Sequence, residues 1–199
     1  MAIIFDLGRV VVSWDPVGIV SAVRGPEGAA ALAERLFNHP DWLEVDRGTL
    51  SLHTMARRAE ERTGLSAADN LAILQAVPAS LLPDPAMVRL IEELHSAGHV
   101  LYALSNMGHA SIDWLEQHQD FWRFFSGKVV SARVRMMKPE SDIYRYLLVS
   151  FDLVPSDCLF IDDSPANVAA AEALGLRGLV FTDPVRCRDH LVGQGLLPA

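Results

Sequence analysis

Little in this 199-residue chain points toward disulfides, membranes or nucleic acid. Cysteine occurs twice, at Cys158 and Cys187, which is no disulfide framework, so a reducing, cytoplasmic setting is expected. Cys158, inside an apolar run, reads as a small core residue. No stretch approaches the roughly 18 consecutive apolar residues of a membrane span, and the first residues hold no charged segment leading into a long apolar one. Basic runs are absent and the formal net charge is −8, which argues against nucleic acid and anionic membrane surfaces as partners. A local positive group could still hold a small anionic molecule. Internal repeats and low-complexity tracts are lacking too. What remains, half hydrophobic and 21% charged, describes a folded chain with one well-buried core and room for an insertion.

Five short apolar segments read as buried strands: AIIFDL (2–7), HVLYALSN (99–106), CLFIDD (158–163), GLVFTD (178–183) and, more weakly, GKVVSA (127–132). Helical periodicity separates them. In 84–97 it sets Met87, Leu90, Ile91 and Leu94 on one stripe before Gly98; in 164–174 Ser164 is an N-cap and Pro165 the first helical residue. Strands alternating with helices imply βα units and a mainly parallel sheet. Residues 15–80 break the alternation with helical patterns such as 27–37 and 51–64 and no convincing strand. The expected organisation is a Rossmann-like α/β core from 1–14 and 81–199, with an inserted helical block at 15–80 and LLPDPA (81–86) as the return linker.

In an open parallel sheet, ligands bind beyond the carboxyl ends of the strands. Here the strands end in polar groups: Asp6, then Ser105 and Asn106, then Asp162 and Asp163, while Lys138 precedes another helical stretch. Each has a duller explanation as a turn, cap or solvated charge. Their coincidence at strand ends points instead to three carboxylates, a hydroxyl, an amide and an ammonium at one rim. That set suits a divalent metal and an anion, with one carboxylate left as nucleophile.

FDLG (5–8), LSN (104–106), KPESDIY (138–144) and FIDDSPANVAAAEALG (160–175) resemble, in order, the four motifs of the haloacid dehalogenase-like hydrolase superfamily. The likeness runs over nearly the whole chain, with 15–80 matching the family's helical cap, and is greatest to bacterial phosphatases whose first motif reads FDLGNV. DRGTLS (46–51) resembles a cap segment of that group. The resemblance implies that Asp6 is the nucleophile and takes the phosphoryl group. Ser105 would bind phosphate oxygens, Asn106 would lie close to the reacting centre, and Lys138 would neutralise charge. Mg²⁺ would be held by Asp6, the Gly8 carbonyl and Asp163, with Asp162 as a further ligand or a supporting acid. The family's fourth acid is Asn167 in this chain.

Most phosphatases of the family carry a general acid two residues after the nucleophile, where this chain has Gly8. Such a group is typically worth about 10²–10⁴-fold, a loss that favours leaving groups tolerant of poor protonation, such as anomeric sugar phosphates. Water, substrate hydroxyls or a cap residue could stand in. The leading expectation is therefore a Mg²⁺-dependent phosphatase of a small metabolite, a sugar phosphate first. Two others stay open: a 2-haloacid dehalogenase, whose halide leaving group needs no proton, and a catalytically weak relative that binds a ligand or a protein. Asp162 and Asp163 weigh against the dehalogenase, and Asp6 with Lys138 against the pure binder. His109 is a candidate to reach the substrate, and Arg47 to contact a substrate or form a surface ion pair. Trp14 and Asp15 fall at the crossing between core and helical block; Trp42, Trp114 and Trp122 read as packing residues. Monomer and homodimer are equally compatible with the chain.

Overall fold

The computed structural model describes residues 1–198; Ala199, the end of the expected 81–199 segment, lies outside them. Strands β1 (Ala2–Phe5), β2 (Val100–Ser105), β3 (Phe125–Val130), β4 (Cys158–Asp162) and β5 (Arg177–Val180) form one sheet in the order β3-β2-β1-β4-β5. All neighbours are parallel. GKVVSA is a strand only to Val130, because its pairing with β2 ends at Ser105 opposite Val130 and Ser131 opens a helical turn.

Period-2 alternation splits the strand side chains between two apolar layers. Ile3, Phe5, Leu101, Ala103, Leu159 and Ile161 join one buried cluster. Ile4, Tyr102, Leu104, Cys158 and Phe160 join the other with Tyr144 and Leu147. Both faces are covered, as a parallel sheet requires.

Between β1 and β2 the chain is helical, as expected, through α1 (Pro16–Arg24), α2 (Ala29–Phe37), α3 (Pro40–Arg47), α4 (Leu52–Arg58), α5 (Glu60–Thr63) and α6 (Ala67–Ser80). The single helix expected over 51–64 is α4 and α5 joined at Ala59, whose backbone stays right-handed. These helices bury a cluster of their own, including Ile19, Leu36, Phe37, Trp42, Met55, Ile73 and Leu74. The remaining helices flank the sheet: α7 (Pro85–Ser96), α8 (His109–His118), α9 (Ser131–Val134), α10 (Ser141–Ser150), α11 (Pro165–Glu172) and α12 (Pro184–Gly193). Among the described residues none is long and apolar enough to cross a membrane.

The passages in and out of the helical block run side by side. Ser13 N–H donates to Leu82 O at 2.8 Å, Asp84 N–H donates to Val11 O at 2.9 Å, and Val12 bridges Pro83. Trp14 packs against both the sheet-side cluster and the helical one. Its ring stacks on Trp42 at 5.6 Å and meets Phe37 edge-on at 5.4 Å. Asp15 is the N-cap of α1, accepting from Gly18 N–H at 2.9 Å.

Candidate active site

The sheet order places the site. From central β1 the chain pairs to β2 on one side and β4 on the other, so the connections diverge and leave a crevice beyond its carboxyl end. Asp6 follows β1 and still donates its N–H to Ile161 O at 2.9 Å, Ser105 ends β2, and Asp162 ends β4. Next the chain wraps tightly: Val10, Val11 and Val12 N–H groups all turn onto Leu7 O, and Arg9 takes φ +59°. The left-handed region costs a non-glycine residue about 1–2 kcal/mol. The turn brings Gly8 and Arg9 to the wall of a cavity of about 220 Å³.

At the centre Lys138, 4% exposed, has all three ammonium donors engaged. Its Nζ lies 2.8 Å from Asp6 Oδ1 and 2.7 Å from Asp162 Oδ2, and donates to Leu104 O at 2.9 Å. Burial acts to lower its pKa, but the Asp6 and Asp162 charges prevail and hold it above the usual lysine range. Burial raises the Asp6 carboxyl against the downward pull of Lys138. A buried ion group of this kind is tolerable only with its partners in place.

Asn106 is what fixes Lys138. Its Oδ1 accepts from Lys138 N–H and its Nδ2 donates to Lys138 O, both at 2.9 Å, so the side-chain amide clamps the lysine's backbone. Ser105 is buried, at 1% exposure, at the carboxyl end of β2. Asp162 is fully buried and saturated. Oδ1 accepts from Ser164 N–H at 2.8 Å and from Asn167 Nδ2 at 3.0 Å; Oδ2 accepts from Lys138 Nζ and from Asn167 Nδ2 at 3.1 Å. An amide at 167 therefore supplies a donor where an acid would oppose Asp162. Tyr144 Oη, in the KPESDIY segment, donates to Asn167 O at 2.9 Å and steadies that turn.

Asp163 lines the cavity with Gly8 and Asn106, and Arg9 Nη1 lies 3.8 Å from its Oδ2. Burial and the Asp162 charge raise its carboxyl. Asp6, Asp162 and Asp163 can each turn one oxygen to within 4.8 Å of the others. Three carboxylates against one buried ammonium leave an excess of negative charge on hard oxygen donors, a set that fits a small divalent cation such as Mg²⁺.

Several residues in the site escaped the sequence reading. Arg9, Asp46, Met107 and Ser111 line the cavity, and Trp42 does so besides packing against Trp14. Ser131 accepts from Met107 N–H at 2.8 Å and donates to Asp46 O, tying the loop after β2 to the end of α3. Gly48 ends α3 at φ +78°, with Ala132 so close that a Cβ would stand 2.3 Å from its carbonyl oxygen. Arg47 takes the surface-pair option, donating to Glu140 at 3.0 Å. His109 lines an adjoining cavity of about 280 Å³ instead of the one holding Gly8 and Asp163. His95 lies tilted against Phe124, with ring centroids 5.5 Å apart, and His99 Nε2 lies 2.8 Å from Leu196 O, both away from the strand-end residues.

A family model described as haloacid dehalogenase-like hydrolase matches residues 13–175. The chain is 28% identical over 182 residues to the sesquiterpene phosphatase astK of Aspergillus oryzae, covering 92% of this chain and 90% of that one. It is 32% identical over 107 residues to a probable pseudouridine-5'-phosphatase of Drosophila melanogaster, covering 50% and 46%. A structure of the enzyme bt-2542 from Bacteroides thetaiotaomicron, in complex with magnesium and inorganic phosphate, superposes with a TM-score of 0.74 at 21% identity, covering 91% of this chain and 93% of that one. With the family match spanning most of the chain and the motif residues gathered at the diverging strands, this protein belongs to the haloacid dehalogenase-like hydrolases.

Proposed function

We propose that the protein is a Mg²⁺-dependent phosphatase that hydrolyses a small phosphate monoester through an aspartyl phosphate on Asp6. The observation that carries this is the buried Asp6–Lys138–Asp162 group beside Asp163, at the point where the strand connections diverge. Asp6 attacks phosphorus while Lys138 balances the charge on the nucleophile and on the phosphate. Ser105 offers its hydroxyl to a phosphate oxygen. Asn106 acts through Lys138, holding its backbone, and Asp162 orients the ammonium. Mg²⁺ would be held by Asp6, Asp163 and the Gly8 carbonyl, with Asp162 supporting them because its oxygens are already committed; the ion would supply charge neutralisation of the transferring phosphoryl group. The three gathered carboxylates favour this reading over halide displacement.

Residues 15–80 serve as a cap on a core of 1–14 and 81–199, gating a site that excludes water when covered. The lining sharpens the substrate class. Trp14, Trp42, Val77, Leu81 and Met107 dominate the walls, and the adjoining cavity shares Trp42 and Val77 and adds Val45, Leu50, Leu52 and Leu74. Polar side chains, among them Ser111, Ser51 and Gln75, interrupt these walls, but apolar groups make up the larger part of both. An apolar organic group fits them, and the resemblance to a sesquiterpene phosphatase over nine-tenths of the chain supports that choice.

The test is phosphate release from prenyl, alkyl and sugar phosphates, with Mg²⁺ and with EDTA, beside chloride release from 2-chloropropionate. Mg²⁺-dependent release with the higher kcat/KM on apolar esters is expected. EDTA-insensitive chloride release would replace the phosphatase by a dehalogenase, and silence on both would leave a binding protein.

A further inference from the structure

Phosphate-ester cleavage leaves an alkoxide that needs a proton, and Gly8 cannot give one. Space is not the reason: a Cβ built at Gly8 meets no atom within 4 Å. The gap opens on the cavity, so whatever supplies the proton should line the same walls. Arg9 holds its proton too firmly to release it, Ser111 is a weak acid, Asn106 is engaged with Lys138, and Asp163 belongs to the cation-binding group. One further titratable group lines the cavity: Asp46, delivered from α3.

Asp46 is held firmly and neutralised by nothing. Its carbonyl accepts from Ser131, Arg47 beside it pairs with Glu140, and Gly48 after it seats against Ala132, so the end of α3 is fixed to the core at three successive residues. Yet among the described residues no cation lies within ion-pair distance of its carboxyl. An acid locked over a reaction site without a counter-ion is placed for proton transfer rather than for stability.

We infer that Asp46 is the catalytic acid and base of the reaction, supplied by the helical block in place of the residue missing at position 8. In the first step Asp46 gives its proton to the leaving oxygen as the bond from that oxygen to phosphorus breaks and the bond from Asp6 to phosphorus forms. In the second, the Asp46 carboxylate takes a proton from water as water bonds to phosphorus and the aspartyl phosphate breaks. Phosphate and Asp6 are released and the Asp46 acid is restored. Burial pushes the Asp46 carboxyl up to about 8, against the pull of the Gly108 amide and with a further push from the Asp6 charge, so the acid form persists near neutrality.

The inference rests on the phosphatase reading, and leaving-group dependence separates the two. With Mg²⁺, kcat/KM is measured for wild type and Asp46→Asn on octyl phosphate and on p-nitrophenyl phosphate, whose leaving group needs little protonation. A fall of about 10²–10⁴-fold on octyl phosphate, with a much smaller fall on the aryl ester and a one-equivalent burst of p-nitrophenolate before slow turnover, would support it. Equal falls on both esters, or none on octyl phosphate, would overturn the role of Asp46 while leaving the phosphatase standing. A wild type that releases no phosphate from either would overturn both. Should Asp46→Asn melt early, Asp46→Ser is judged by the same ratio.

Discussion

Two regions each hold a carboxylate at this site, and they treat it oppositely. At the strand rim Asp162 is fully buried and surrounded by an ammonium, an amide and a main-chain N–H. In the helical block Asp46 is fastened by its backbone and, among the described residues, has no cation beside its carboxyl. The first arrangement surrounds a carboxylate with donors; the second leaves one without a counter-ion. The rim thus forms an electrostatic frame, while the helical block brings the acid inferred above to exchange its proton during the reaction. The two regions are joined by the tether through Ser131, the Arg47–Glu140 pair and the seat of Gly48 on Ala132.

Breaking the frame should have the largest effects. Asp6→Asn is expected to lower turnover by roughly 10⁴–10⁶-fold while leaving the circular dichroism spectrum and melting behaviour close to wild type. Retained turnover would remove Asp6 as nucleophile. Lys138→Ala strands the Asp6 and Asp162 charges, and losing one side of a buried pair costs about 3–5 kcal/mol. Denaturant unfolding should show that loss alongside a kcat/KM reduced by about 10²–10³-fold or more. A stable, active variant would deny that the ammonium organises the rim.

The joint between the regions comes next. Ser131→Ala leaves Met107 N–H and Asp46 O without their shared partner, a cost of about 1–3 kcal/mol for a buried polar group. Slower turnover on alkyl esters, whose leaving oxygen needs a proton, should accompany it, because Asp46 loses an anchor. Loss of stability with unchanged leaving-group dependence would show that the tether does not position the acid.

The smallest effect is a control away from both. Glu116 takes two hydrogen bonds from Arg133, each at 2.7 Å, and lies 2.9 Å from Lys128. Those partners, Arg133 first, hold its carboxyl down at about 2 against an ordinary 4.5. A depressed folded pKa contributes stability above 4.5 and loses it as pH falls toward 2. The gap in unfolding free energy between wild type and Glu116→Gln should be about 1 kcal/mol or less at pH 7 and close near pH 2, with turnover untouched. A gap that persists in acid would mean that the pair does not account for it.

How much was legible follows from where each signal lives. The strands announced themselves because three or four successive apolar residues feeding a polar end are a local pattern, and Asp6, Ser105 and Asp162 stand where β1, β2 and β4 stop. Ser164 as N-cap of α11 and the stripe of α7 were likewise local. Asn106 stood out as the polar residue after β2, but its grip on Lys138 was not legible, because that contact requires two loops to meet and neither segment encodes it alone. Asp46 opens DRGTLS, which resembles a cap segment of the family, but nothing in that segment says that its first residue lines a cavity with Gly8, and Trp42 looked like any buried tryptophan.

The sequence by itself determined the parallel α/β core, the inserted helices and the line of polar residues at strand ends, because backbone propensity and hydrophobic period act over a few neighbours. Only the tertiary structure decided which oxygens Lys138 neutralises, what the amide at 167 bonds, which walls the cavity has, and that Asp46 of α3 lines the same cavity as Gly8. Those outcomes depend on side chains far apart in the chain being packed to within about 3 Å, the reach of a hydrogen bond. No local pattern records that distance.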